Sequence, residues 1–353
     1  MPWDIETPAV VVDTTRLERN LDRMQAAAGA AGAVLRPHAK THKCLEVGRR
    51  QLARGAGGLT VATLAEAEAF VADGCSSVFI AYPLWAGSGT RPARLASLRE
   101  RAELRVGVDS AAAAGALAAA VPGAQVLIEV DSGQHRSGVP VSRVTALAAE
   151  CRALGLEVIG AFTHPGHAYA KPDPAVVAAA AADERATLGA AAEALEGLTD
   201  RAPVLSGGST PTAEAGVAAP LTEVRPGTYV FGDRQQMALA GLAEQDVALV
   251  VAARVVSAPR PGEALLDCGS KALSSDRPGW LNGYGQILEA PGATIVTLSE
   301  EHAVVRGDTA PLRVGDLVRV IPNHVCPVVN LTSELLTAEG DRLTGRWQVT
   351  ARR

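Results

Sequence analysis

The chain has 353 residues, 48% hydrophobic and 20% charged, with a net charge of -5, a size that suits a barrel with a smaller partner domain. No basic run points to nucleic acid or an anionic membrane, and no apolar run approaches the roughly 18 residues of a membrane span. The opening MPWDIETPAV lacks the basic and apolar regions of a signal peptide, and five scattered cysteines fit a reducing cytoplasm better than a disulfide framework. In chain order, a helix is expected over Thr14–Ala28, where Asp13, Thr14 and Thr15 supply N-cap residue types. Short β-branched runs then alternate with Ala-rich helical stretches. The expected strands are Ala33–Arg36, Gly58–Val61, Ser77–Ala81, Leu104–Val108, Gln125–Val130, Glu157–Phe162, Pro203–Ser206 and Thr222–Phe231. Helices between them include Thr63–Ala72, Val141–Leu154 and Pro174–Leu195.

The almost wholly apolar runs VLIEV and VIGAF suit parallel strands covered on both faces. Eight such repeats predict a (β/α)8 barrel over 18–235, with a doubly wound open sheet as the alternative. After residue 236 long helices give way to β-rich segments, so 1–17 and 236–353 are expected to form a smaller β domain joined by the N-terminal segment.

A barrel keeps its active site at the C-terminal ends of its strands, often with phosphate after strands seven and eight. Polar and special residues do follow these strands. RPHAKTHK follows the first, Thr63 the second, DSGQHR the fifth, THPGHAY the sixth and SGGST the seventh. The last has the glycines and hydroxyls that let backbone approach a phosphate, although most Gly-rich loops are only turns. The chain contains only four lysines, Lys40, Lys43, Lys171 and Lys271. Exposure is the usual fate of a lysine, but Lys40 lies between His38 and His42 on the face that carries the glycine turn. A Schiff-base lysine with a phosphate cradle is the minimal apparatus for pyridoxal phosphate.

TPAVVVD, RPHAKTHK, DSGQHRSGV, SGGSTPT and PNHVC, in that order, resemble the D-serine dehydratase and D-threonine aldolase family, alanine-racemase-like fold-type III pyridoxal-phosphate enzymes. The resemblance implies that Lys40 carries the cofactor and acts as the base at Cα. It also implies that Arg136 contacts the phenolic oxygen, that Tyr169 lies near the pyridine nitrogen, and that Gly207, Gly208, Ser209 and Thr210 hold the phosphate. Thr63 and Tyr229 match positions near the cofactor. Arg136 pairing with Asp131, and Tyr169 simply packing over the barrel mouth, are the plainer readings.

His324 and Cys326 are two apart at an expected strand end, so they can point to one side. Cysteine is more often a small buried hydrophobe, but the resemblance makes this pair ligands of a divalent metal, and imidazole with thiolate favours zinc. Aldolases of the family carry aspartate where this chain has Cys326. The expected function is therefore a lyase acting on small D-3-hydroxy amino acids, with D-serine dehydration first and D-threonine aldol cleavage as the alternative. His164, His167 and His302 are candidates for a second base. A racemase using Tyr284, a non-catalytic pyridoxal-phosphate carrier, and a barrel aldolase using Lys40 directly are further alternatives. The resemblance also implies a homodimer.

Overall fold

The computed structural model of the protein describes residues 3–352. Residues 1, 2 and 353, the outermost positions of the expected β-domain segments, lie outside the described residues. The chain opens with β1 (Ala9–Asp13) and α1 (Thr14–Ala30). Strands and helices then alternate through β2 (Val34–Leu35), α2 (Leu45–Ala53), β3 (Leu59–Val61), α3 (Leu64–Ala72), β4 (Ser77–Pro83), α4 (Arg91–Arg101), β5 (Glu103–Val108) and α5 (Ala111–Ala120). They continue through β6 (Gln125–Glu129), α6 (Val144–Ala153), β7 (Glu157–Phe162), α7 (Pro174–Ala194), β8 (Val204–Gly207), α8 (Thr210–Ala215) and β9 (Glu223–Val224). The remainder is α9 (Arg234–Ala240), β10 (Leu249–Arg260), β11 (Glu263–Leu266), α10 (Ser270–Leu273), β12 (Gln286–Ile287), β13 (Ala293–Leu298), β14 (Ala303–Gly307), β15 (Leu317–Ile321), α11 (Val325–Leu331), β16 (Glu334–Glu339) and β17 (Arg342–Gln348). Two compact units result. One comprises Arg23–Lys40 and Val47–Gly227 with Ala351 and Arg352; the other comprises the N-terminal residues through Asp22, Thr41–Glu46 and Thr228–Thr350.

The first unit holds eight parallel strands in the order β2-β9-β8-β7-β6-β5-β4-β3. The order follows the chain without reversal, which a barrel requires and a doubly wound open sheet would not show. A parallel bridge between His38 and Thr60 joins the two ends, with the Thr60 amide donating to Pro37 O at 2.9 Å. The interior is filled, not hollow. Phe79 and Phe162 meet edge to face, ring centroids 5.1 Å apart, and Leu127 packs with them. Gly107 makes room, because a Cβ there would come within 2.5 Å of the Phe162 ring.

Polar residues close the interior on either side of these rings. Glu223 accepts from Arg36 Nε at 2.6 Å, from Arg105 at 3.2 Å and from the Ser206 hydroxyl at 2.7 Å. Satisfying a buried carboxylate this fully offsets the desolvation that would otherwise make it costly. The eighth barrel strand is shorter than the expected Thr222–Phe231. Pro226 and Gly227 interrupt it after Val224, and Thr228–Val230 forms a 3-10 turn.

In the second unit β1 lies between β10, its antiparallel partner, and β16, its parallel partner. The order β13-β14-β11-β10-β1-β16-β17 completes the main path, with β15 pairing β10 and β12. The N-terminal segment therefore joins this sheet as expected. Trp3, Val11, Val250, Ala252 and Ile321 share its core. Among the described residues no helix is long and apolar enough to cross a membrane.

Candidate active site

The barrel unit carries most of the expected residues at the C-terminal ends of its strands. Lys40 is exposed and lies in a 3-10 turn, Ala39–Thr41, beyond β2. Burial, followed by the charges of Lys40 and Arg225, holds His38 well below the ordinary histidine range. Burial and then Lys40, Arg136 and Arg225 do the same to His164. Both imidazoles are therefore neutral at physiological pH, and the positive charge of the mouth rests on lysine and arginine. Such a mouth suits an anionic ligand.

Thr63 caps α3, accepting from the Glu66 amide at 3.1 Å, so its hydroxyl proton is still available to a ligand. Arg136 is exposed on a loop folded by Asp131, whose carboxylate accepts from the amides of Gly133 and His135 at 2.9 and 3.0 Å. His135 Nδ1 lies 2.7 Å from the same carboxylate, so Asp131 shapes the loop and does not hold Arg136. The Ser137 hydroxyl ties the loop to Glu129 at 2.8 Å. Tyr169 ends a 3-10 turn, Gly166–Tyr169, after β7.

The glycine turn differs from a simple cradle of amides. Gly207 ends β8, and the Gly208 amide donates to Glu184 Oε1 at 2.5 Å. The Ser209 amide donates to the Thr212 hydroxyl at 3.0 Å within a capping box that starts α8. Thr210 Oγ1 accepts from the Gly227 amide at 3.3 Å and keeps its own proton to donate. A phosphate here would meet hydroxyls as well as backbone. With an exposed lysine, an arginine and these donors on one face, the residues present fit pyridoxal phosphate.

Two groups in this unit escaped sequence reasoning. Arg225 is buried, donating to Ser206 Oγ at 2.8 Å and to Thr163 O at 2.5 Å. Its guanidinium sits 5.6 and 5.2 Å from the Phe79 and Phe162 ring centroids, so it forms a charged floor under the mouth. A single buried arginine leaves no periodic trace. Glu184 did leave one: it falls on the apolar stripe Val177, Ala180, Ala181, Leu188, Ala191 of α7, where a carboxylate is out of pattern.

The other unit holds Tyr229, His324 and Cys326. Tyr229 is buried in the 3-10 turn Thr228–Val230. His324 and Cys326 do not end a strand. β15 stops at Ile321, and His324 is the extended N-cap of α11 with Cys326 inside its first turn. The cap geometry, not strand alternation, brings the two side chains together. His324 Nδ1 lies 2.5 Å from Asp276 Oδ2, and Thr41 Oγ1 lies 3.3 Å from Cys326 Sγ. Burial opposes charge on His324, but Cys326 and Asp276 outweigh it and push its pKa up to about 11; a metal ion would take that proton's place. Asp276 and Thr41 also went unnoticed in the sequence, because nothing in their spacing links them to PNHVC.

Among the described residues no group of three or more His, Cys, Asp or Glu side chains could hold a metal ion. The resemblance singles out His324 and Cys326 as ligands; as a pair they would leave positions for water and substrate, as a catalytic ion needs. Their nitrogen and sulfur donors fit a divalent ion of the zinc type. Of the other candidate bases, His167 lies 3.3 Å from Asp183. His302 is exposed at the turn between β13 and β14. Tyr284 stacks under Arg277, 5.2 Å from its ring centroid.

The fold and these clusters describe a fold-type III pyridoxal-phosphate protein, and comparison with known proteins agrees. The family model "Alanine racemase, N-terminal domain" matches residues 12–235 and "Putative serine dehydratase domain" matches residues 248–338. D-threo-3-hydroxyaspartate dehydratase of Delftia sp. (strain HT23) is 38% identical over 348 residues, 91% of each chain. D-threonine aldolase of Arthrobacter sp. is 34% identical over 366 residues, 99% of this chain and 93% of that one. A solved structure of D-threo-3-hydroxyaspartate dehydratase, a mutant in the metal-free form, superposes with a TM-score of 0.89 at 34% identity, covering 98% of this chain and 97% of that one. The chain belongs to the D-serine dehydratase and D-threonine aldolase family of pyridoxal-phosphate enzymes.

Proposed function

We propose that the protein is a pyridoxal-phosphate- and metal-dependent lyase that eliminates water from D-3-hydroxy amino acids, the released enamine then taking up water to give a 2-oxo acid and ammonia. The observation that carries this reading is the placing of His324 as the N-cap of α11 with Cys326 in its first turn, an imidazole and a sulfur at one helix start, in a chain whose relatives include a D-threo-3-hydroxyaspartate dehydratase. Bound pyridoxal phosphate supplies an electron sink at Cα, and the divalent ion, zinc by its donor set, supplies Lewis acidity at the β-oxygen.

The chain's own groups do the rest. Lys40 anchors the cofactor, and its amine takes the Cα proton. The Thr210 hydroxyl and the turn from Gly207 to Ser209 hold the phosphate. Arg136 and Tyr169 orient the ring, and Thr63 and Tyr229 line its surroundings. Neutral His38 and His164 beside Lys40 and Arg225 avoid adding charge that would compete for the anionic ligand. The protein works as a homodimer in the cytoplasm. The odd number and scatter of its five cysteines along the sequence support that compartment, and light scattering on an eluting peak checks the assembly.

The test is to incubate the holoprotein with D-serine, D-threo-3-hydroxyaspartate and D-threonine, with and without a chelator and added zinc. Chelator-sensitive 2-oxo acid and ammonia are expected from one of the first two. Glycine and acetaldehyde from D-threonine would instead make it an aldolase. Lys40→Ala should abolish turnover of every substrate, by at least about 1000-fold given the loss of both anchor and base; retained turnover would remove Lys40 from the mechanism.

A further inference from the structure

His324 has two ring nitrogens, and Nδ1 is occupied by the Asp276 carboxylate. That leaves Nε2 as the ring nitrogen for a metal, on a residue that caps the helix turn carrying Cys326. The ring and the sulfur are each held from behind by a side chain that would not itself touch a metal: Asp276 for the imidazole, and the Thr41 hydroxyl for the sulfur, 3.3 Å away. We propose that Asp276 and Thr41 are positioning residues for a divalent metal, fixing the His324 ring and the Cys326 sulfur so that Nε2 and Sγ act as its two protein ligands. This rests on reading His324 and Cys326 as ligands.

The surroundings of Asp276 support a built support over a chance surface pair. The Asp276 amide donates to Ser274 Oγ at 3.0 Å, and Ser274 itself adopts φ 62 and ψ 160, a conformation that side-chain-bearing residues rarely adopt. Asn323, the residue before His324, donates to Asp276 O at 3.3 Å and to Gly283 O at 3.0 Å. Arg234 in turn donates to Asn323 Oδ1 at 2.8 Å. Strain and a chain of hydrogen bonds thus fix the backbone of Asp276, whose carboxylate is 45% exposed. An ion pair that open to water contributes little to stability, so stability does not account for the arrangement. Thr41 is fully buried, and its sulfur contact is one that valine, of the same shape, could not make. Partners of this kind orient ligands and raise metal affinity, and their loss weakens binding about 10–100-fold.

The experiment measures zinc affinity of the purified holoprotein by competition with a chromophoric chelator. It compares wild type with Asp276→Asn, Asp276→Ala, Thr41→Val and Thr41→Ser, and with the ligand variants His324→Ala and Cys326→Ala. Cofactor absorbance and the melting temperature of each metal-stripped protein are recorded alongside. The expected result is about 10–100-fold weaker zinc binding in both Asp276 variants and in Thr41→Val, near-wild-type binding in Thr41→Ser, and unchanged melting and absorbance throughout. Wild-type affinity in Asp276→Asn, Asp276→Ala and Thr41→Val, with zinc lost from the ligand variants, would overturn the positioning roles alone. Wild-type affinity in His324→Ala and Cys326→Ala would overturn the ligand assignment and the positioning roles together. Weakened binding that tracks a lowered melting temperature, and is not rescued by Thr41→Ser, would mark a structural effect and overturn the proposal.

Discussion

Glu184 illustrates how one residue can tie stability to pH. Burial pushes its carboxyl up to about 7, against the Gly208 amide, Arg225, the Thr212 side chain and Arg185, all of which favour the charged form. Since the folded pKa lies above the ordinary value of 4.5, the folded state binds this proton more tightly than the unfolded chain does. Its contribution is fully present below about 4.5 and is lost as pH rises through about 7, a difference of about 3 kcal/mol in order of magnitude. Glu184→Gln keeps an acceptor for the Gly208 amide and removes the titration. In the cofactor-free protein the variant should gain stability over wild type progressively from pH 5 to pH 8, by about 2–3 kcal/mol in urea unfolding. A gap that does not change with pH would mean that Glu184 does not titrate there. Residues of this kind divide sharply in legibility. Lys40 stood out through the scarcity of lysine and its place after a strand, whereas Arg225, Asp276 and Thr41 depend on contacts made by distant parts of the chain.

At the scale of elements, the closing seam of the barrel is the most exacting place. The Gly57 amide donates to Leu35 O at 2.9 Å, and Gly58 adopts φ +130 with Ser77 O only 2.4 Å from where a Cβ would stand. Gly58→Ala must displace backbone there, and should cost about 3 kcal/mol in chemical denaturation. Gly29, near the end of α1, meets nothing within 4 Å; Gly29→Ala should be neutral or stabilise by up to about 1 kcal/mol. Equal effects of the two would show that the seam is softer than its geometry implies. The repeating period of strand and helix made all eight barrel strands readable, because most of their residues are buried and their apolar composition follows directly. The eighth ends early because Pro226 cannot donate to a neighbouring strand. PNHVC read as strand because its apolar residues continue those of β15; the turn into α11 is fixed by Asp233, which accepts from the Val325 amide at 2.9 Å and lies far away in sequence.

For the whole molecule, the decisive strand is the first. β1 occupies an interior position of the C-terminal sheet, between β10 and β16. A chain lacking residues 1–13 would keep every barrel strand but leave two unpaired edges in that sheet, and unpaired edges template aggregation. Such a truncation should be recovered mainly as aggregate, measured by the soluble fraction after expression; a soluble, zinc-binding product would show that β10 and β16 can close on each other. That the N-terminal segment joins this domain was expected from the sequence, whereas its neighbours in the sheet were not legible.

The same placement sets an order of events during synthesis. β1 is made before the barrel strands, yet Leu336, the parallel partner of Val11, is made after all of them. At roughly 5–20 residues per second the intervening stretch takes on the order of 15–60 s to emerge. Until β10 is made, after every barrel strand, Val10, Val11 and Val12, all buried in the finished sheet, have neither of their neighbours in that sheet. A short valine-rich strand thus waits through the making of the barrel for the first of its neighbours, and longer still for the second.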